Sequence, residues 1–181
     1  MIRYMNTNFL NSVTNFLKKR TFELIGLMLI FLSIALAISF FTYSPNDPSF
    51  VYGEEKTVIQ NYLGIYGSII SDFLLQSFGL LSFFLTVTIF SWGLNLMFKK
   101  EINQILIKIF FVSLYLIFGC AFVFISFNNS FWLIDNGNSG FVGQSVYDML
   151  FAYLPELDSP YLSFVLIFLS IIFFILSSKI N

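Results

Sequence analysis

Catalysis needs side chains that carry protons, metals or nucleophilic electron pairs, and this sequence supplies few. It has no histidine, which removes imidazole acid–base chemistry and imidazole metal ligation together. A single cysteine, Cys120, excludes an intrachain disulfide and any thiolate cluster. It sits midway through an apolar run among Phe, Gly and Ala and reads as a small apolar residue. No catalytic carboxylate pair, Ser–His or Cys–His set, or G-x-x-x-x-G-K-[ST] phosphate loop occurs. Ionisable residues in apolar runs are functional candidates by default, but Glu23, Lys108 and Asp72 all lie at the edges of such runs. The expectation is therefore no catalytic residue, no cofactor-binding residue and no metal ligand. The chain reads as a non-enzyme.

What remains is residues that shape and pack the backbone. Pro45 and Pro48 flank Asn46 and Asp47 in Tyr43-Ser-Pro-Asn-Asp-Pro-Ser49, and neither proline continues a helix. Local physics favours a helix stop with a rigid turn, and a contact surface for another protein is the sharper alternative. After Asn61, Gly64-Ile-Tyr-Gly67 leads to Asp72. Gly140-Phe-Val-Gly143 leads to Asp148 with the same G-x-x-G-x4-D-x-L spacing. One reading is a duplicated helical hairpin whose glycine pairs let a helix approach a neighbour closely; the other is coincidence in an apolar sequence. Asp72 runs directly into an apolar stretch, whereas Asp148 stands well before Tyr161, which argues against strict duplication.

The elements that must position these residues are set by composition. Hydrophobic residues are 57% of the 181 and charged residues 10%, against about 25% charged in a soluble domain. The mean hydropathy is +0.84, so the chain cannot cover a water-facing surface. A bilayer core needs about 20 apolar residues as helix, and four runs qualify: 24–43, 73–98, 105–127 and 161–176. The last spans only if Ser159, Pro160, Ser177 and Ser178 lie at the interfaces. Lys108, a turn into the third run, is expected to snorkel. The fold class is an all-α membrane protein.

Of nine Lys and Arg residues, eight (Arg3, Lys18, Lys19, Arg20, Lys99, Lys100, Lys108, Lys179) fall on one side of this arrangement and Lys56 alone on the other. That asymmetry places both termini in the cytoplasm and two long loops outside. A signal peptide cleaved near Ala35-Leu36-Ala37 is the rival reading of the first run, opposed by the apolar residues continuing through Phe41. Residues 1–21 read as a basic tail in which Phe9, Leu10, Val13, Phe16 and Leu17 recur at helical spacing. The pattern suits a short amphipathic helix on the inner leaflet, its basic end drawn to anionic lipid; chance periodicity in a floppy tail is the alternative. Residues 22–178 form the four-span domain, and 179–181 begin a linker. Helical spacing over 57–66 predicts a helix on the outer surface that turns into the second span near Asp72. Residues 143–154 predict another, stopped by Pro155. Asn136–Gly140 is expected to be a flexible turn. The sequon Asn128-Asn129-Ser130 lies too near the membrane to serve as a glycan site. With no basic excess, direct nucleic-acid binding is not expected.

Taken in order, the basic tail, the first span, the turn at 43–49, Asn61-Tyr-Leu-Gly64-Ile-Tyr-Gly67, Ser71-Asp72, Phe78-Gly79 and Ser139-Gly140-Phe-Val-Gly143 closely resemble the N-terminal four-transmembrane domain of the FtsK/SpoIIIE family of bacterial DNA translocases. The resemblance covers roughly residues 20–178. It implies a septal inner-membrane anchor that touches other division proteins and self-associates, with a hexamer expected. Pro45, Asp47, Pro48, Asn61, Gly64, Gly67, Asp72, Gly140 and Gly143 become the candidate packing or partner-contact residues. ATP, Mg and DNA would be handled by a motor outside this chain. Pro155–Pro160 departs from the glycine pair the family pattern leads one to expect. A free-standing accessory division protein and a small transporter or channel subunit are the alternatives, the last disfavoured by the absence of a mid-span charge.

Topology follows from charge alone. Reporter fusions after Lys100 and at residue 181 are expected to read cytoplasmic, and fusions near Glu55 and Asn138 external. A cytoplasmic signal at Asn138 would contradict the four-span arrangement.

Overall fold

Apolar segments of spanning length fold as helices because lipid offers backbone amides no partner. The computed structural model describes residues 2–49, 58–99, 104–129, 133, 135–153 and 160–178. Among them there are six helices and no strand: α1 (Ile2–Phe41), α2 (Gly64–Phe78), α3 (Leu81–Lys99), α4 (Ile105–Phe127), α5 (Gly140–Phe151) and α6 (Pro160–Ser178). Four are long and apolar enough to cross a membrane, over Phe9–Phe41, Leu81–Phe98, Ile105–Phe127 and Tyr161–Ser178. The short helices α2 and α5 pack on each other and on the bundle at the end where α1 and α4 finish and α3 begins, here the loop end.

Two antiparallel pairs make the bundle: α1 with α3, and α4 with α6. The first pair touches backbone to backbone. A Cβ on Gly26 would lie 2.7 Å from the Gly93 carbonyl, and one on Gly93 would lie 2.8 Å from the Gly26 carbonyl. Small residues permit such approach, which helices in lipid need because no hydrophobic effect drives them together. Further along the same seam Ser33 Oγ donates to the Thr86 carbonyl (2.8 Å), and the Phe40 and Phe83 rings meet edge to face.

The second pair packs Phe173 against Phe111 and Phe118, with Ser170 Oγ donating to the Tyr115 carbonyl (3.0 Å). Tyr115, Leu116, Cys120 and Val123 of α4 form the main core with Leu81 of α3. Helix α3 joins the pairs at the far end of α6. Trp92 Nε1 donates to the Ser177 carbonyl (2.8 Å) and Ser91 Oγ to that of Ser178 (2.5 Å). Those carbonyls have no intrahelical partner at a helix C-terminus, so α3 side chains complete them.

Several expectations need correction. The run 73–98 is two helices, not one span: Gly79 (φ +55°) ends α2 and the Leu80 N–H is taken by the Asn138 carbonyl (2.9 Å), so the spanning helix starts at Leu81. Residues 58–63 are not helical; α2 begins at Gly64 because Asn61 takes the preceding turn. The second surface helix is Gly140–Phe151 rather than 143–154. The tail is not a separate helix, since α1 runs unbroken across the 21/22 boundary for 40 residues, roughly 60 Å at 1.5 Å per residue. The Arg20–Glu23 ion pair and the Lys18–Phe22 and Arg20–Phe16 contacts bracket that junction. Lys108 is buried instead of snorkelling; Ser177 and Ser178 close the fourth span, Tyr161–Ser178, where Ser177 is buried and its carbonyl is bonded by Trp92 of α3. Pro155, Ser130 of the sequon and the linker start at 179–181 lie outside the described residues.

Candidate contact site at the loop end

The loop end is built around segments that leave helical geometry beside the membrane, where every exposed amide needs a partner. After α1, residues 44–47 form a turn in which the Asp47 N–H donates to the Ser44 carbonyl (3.1 Å). This brings the Asp47 carboxylate inward. It is 7% exposed and accepts two backbone N–H groups, Gln60 and Asn61, each at 2.8 Å. An ionised carboxylate makes such bonds shorter and stronger than neutral ones. Asp47 therefore staples the far end of the first loop to the near end.

Asn61, 4% exposed, uses both ends of its amide. Its Nδ2 donates to the Ser39 carbonyl of α1 (2.9 Å) and to Ser71 Oγ of α2 (3.4 Å). Its Oδ1 accepts the Leu63 N–H (3.1 Å), and its own carbonyl accepts the Gly64 N–H (2.9 Å). Gly64 then opens α2 at φ +64°, a conformation a Cβ disfavours. Gly67, one turn on, lies against the Asn61 amide so closely that any Cβ would collide with it. The Gly67 carbonyl takes a bond from Ser39 Oγ (2.6 Å), and Ser68 Oγ donates to the Pro48 carbonyl. Asp47, Pro48, Asn61, Gly64 and Gly67 thus converge, while Pro45 faces outward with Asn46.

Asp72 belongs to an adjoining chain of bonds. The Tyr43 hydroxyl donates to Asp72 Oδ1 (3.1 Å), Gln76 Nε2 to the Tyr43 oxygen (3.3 Å), and Asn136 Nδ2 to Gln76 Oε1 (3.0 Å). Burial raises the Asp72 carboxyl above its ordinary range and the charge on Asp135 adds to the rise, opposed by the bonds from Tyr43, Gln76 and Ser49. Burial and the neighbouring Asp72 push the Tyr43 phenol up as well.

Gly140 and Gly143 sit in a second convergence, joined to the first through α2. Gly140 opens α5 at φ +66°, with space for a Cβ closed by Gly79 N and Ser77 O, each 2.6 Å away. A Cβ on Gly143 would meet Ser139 and the Cys120 carbonyl. The stretch expected to flex is instead tied down: Asn138 Nδ2 donates to the carbonyls of Phe127 (2.7 Å) and Asn129 (2.8 Å), and the Asn138 N–H to that of Asn128 (3.1 Å). Asn128 Oδ1 in turn accepts from Ser139 Oγ (2.8 Å).

The glycine echo has a structural counterpart. Each pair gives a short helix a positive-φ first residue and a buried glycine three residues later. It does not extend to the acids, since Asp72 is bonded and Asp148 is exposed. The sequence reading named Gly79, Asn128, Asn138 and Ser139 without placing them among the contact residues, and missed Gly26 and Gly93 in the bundle. A glycine interrupting an apolar run was the available signal for Gly26, Gly79 and Gly93. For the asparagines there was none, because Asn138 donates to the carbonyls of Phe127 and Asn129 and Asn128 accepts from Ser139, each 9 to 11 residues away.

Four spanning helices with two short helices folded over one end by buried Asn and Asp bonds define a polytopic helical membrane domain whose described polar site closes backbone and holds no bond-breaking constellation. A family model for the 4TM region of DNA translocase FtsK/SpoIIIE matches residues 18–180, and the chain belongs to that family. It is similar to the DNA translocase FtsK of Rickettsia typhi, 36% identical over 86 residues, covering 48% of this chain and 11% of that protein. Similarity to the Rickettsia bellii FtsK is 29% over 140 residues (77% and 17%), and to that of Bradyrhizobium diazoefficiens 28% over 135 residues (75% and 16%). The chain spans between 11% and 17% of the length of these relatives. No solved structure gives a significant match.

A carboxyl whose folded-state pKa is raised contributes most to stability below its unfolded pKa and loses that contribution as pH rises through the raised value. Asp72→Asn keeps an acceptor for Tyr43 and removes the desolvated charge. The variant is expected to melt higher than the parent at neutral pH, with the difference vanishing in acid where Asp72 is protonated. Thermal melting in detergent across pH checks this, and an Asn variant that melts lower at neutral pH would contradict it.

Proposed function

We propose that this chain is the membrane-anchoring and septum-targeting domain of a DNA translocase that couples cell division to chromosome segregation. The observation that carries the reading is the family match over residues 18–180 on a bundle with four spanning-capable helices. The eight-to-one distribution of Lys and Arg supports cytoplasmic termini, so that a motor joined to this domain would meet the chromosome. In this reading the chain is not itself an enzyme. ATP and Mg are used by a motor outside these residues, and the chain makes no direct contact with DNA. The bilayer, other division proteins and further copies of the chain, six in all, are its partners. The Pro45–Asn46 turn, held outward by Asp47, supplies a rigid surface for such contacts.

The test is a fluorescent fusion of residues 1–181, expressed in a bacterium depleted of its own translocase anchor. Recruitment to the division site is expected, with loss of recruitment but retained membrane insertion for Asp47→Ala. Uniform membrane fluorescence of the parent fusion would overturn the targeting role.

A further inference from the structure

Helix α2 presents two unlike faces. Gly67, Ser68, Ser71 and Leu75 are buried against the bundle. The opposite face, reaching back to the residue before the helix, carries Tyr62 (82% exposed), Tyr66 (79%), Ile70 (44%) and Phe73 (61%). These recur at helical spacing, and Asp72 is the one charged residue within the stretch. The neighbouring carboxylate, Asp72, is instead engaged by Tyr43.

The medium this face meets is set by its depth. Near its start, α2 is bonded to Ser39 of α1 through the Gly67 carbonyl. At its end, the Phe78 carbonyl takes a contact from Cys120 Sγ of α4 (3.4 Å). Ser39 and Cys120 both lie inside spanning segments, Phe9–Phe41 and Ile105–Phe127. Cys120 is about 10 Å below the end of its span at 1.5 Å per residue. Helix α2 therefore crosses from α1 to α4 below the level where those spans finish, and a turn of only Gly79 and Leu80 joins it to α3. Its outward face is also continuous with the lipid-facing surface of α1: the Tyr62 N–H donates to Thr42 Oγ1 (3.2 Å), beside the exposed Phe41.

We infer that α2 is half-immersed in the bilayer, with Tyr62, Tyr66, Ile70 and Phe73 seated at the boundary between headgroups and acyl chains. Tyrosine suits that boundary, since its ring is apolar and its hydroxyl reaches polar headgroups. Burying an apolar helix face there is the ordinary binding mode of interfacial helices. Lipid contact on one face and the bonds of Ser39 to Asn61 and Gly67 on the other then fix the height at which the 44–49 turn is held. The inference rests on the four spans and stands whether or not the chain targets a septum.

Spin labels test it directly. Tyr66→Cys and Phe73→Cys, each in a Cys120→Ala background, are labelled with a nitroxide and reconstituted in phosphatidylethanolamine–phosphatidylglycerol vesicles. Label accessibility to oxygen is compared with accessibility to a water-soluble nickel chelate, and Asn46→Cys serves as the exposed reference. Oxygen-to-nickel accessibility several-fold above the Asn46 label is the expected result at both positions. Accessibility equal to that reference would put the face in water and overturn the inference. Exclusion of both reagents with spin–spin broadening, abolished by diluting with unlabelled protein, would assign the face to a second copy and overturn it equally.

Discussion

A membrane domain can leave helical geometry near lipid only where every freed backbone group finds a partner inside the protein. At the loop end this constraint decides which residues stand where. The chain turns after α1, re-enters as α2, breaks at Gly79 and turns again before α5. Among the described residues, short polar side chains and distant carbonyls take several of the exposed amides. Asp47 takes Gln60 and Asn61, Asn61 takes Leu63, and Asn138 supplies both a carbonyl to Leu80 and an amide to Phe127 and Asn129. Removing one partner of a buried hydrogen bond costs about 1–3 kcal/mol, a large share of a marginal stability. The described turns at this end are held by bonds as specific as those of the helices.

Close backbone approach is the second element, and it follows from the first. Carbonyls and amides can meet across segments only if no Cβ stands between them. Gly79 sits against the Asn138 backbone, Gly140 against Ser77 and Gly79, and Gly26 against Gly93. The same residue type thus serves two purposes: hydrogen bonding at the loop end and van der Waals packing of α1 on α3. Polar side chains do corresponding work within the bundle, where Thr88 and Tyr115 meet at 3.2 Å and α3 completes the last carbonyls of α6. Such bonds set register between helices that dispersion alone would leave free to slide.

Much of this was legible in the sequence, and the limits were physical. The spans 105–127 and 161–176 were readable because apolar length suffices to specify a lipid helix; α4 matches and α6 extends slightly at both ends. The run 73–98 misled because Gly79 breaks a helix without breaking hydropathy, and composition cannot see φ. The site residues Asp47, Asn61, Gly64 and Gly67 were identifiable as an ordered pattern, and the structure brings them together. What each bonds to was not readable, since Ser39, Ser71 and Pro48 are separated from their partners by 10 to 28 residues. Asn136–Gly140 looked flexible because Asn, Gly and Ser are turn formers, and the same residues also supply the donors and positive φ of a rigid crossing. The continuity of α1 through Lys18–Arg20 was hidden because a change of polarity resembles a change of element.

Among the described residues, the amides of Gln60, Asn61, Leu80 and Asn138 at the loop end are bonded as those of the spans are. Hydrogen–deuterium exchange of the chain in lipid nanodiscs measures this at the amides concerned. Gln60, Asn61, Leu80 and Asn138 are expected to exchange as slowly as the amides of α1 and α4, with Asn61→Ala releasing Leu63 and its neighbours. Exchange of those four amides in the parent chain at the rate of an unstructured loop would contradict the account.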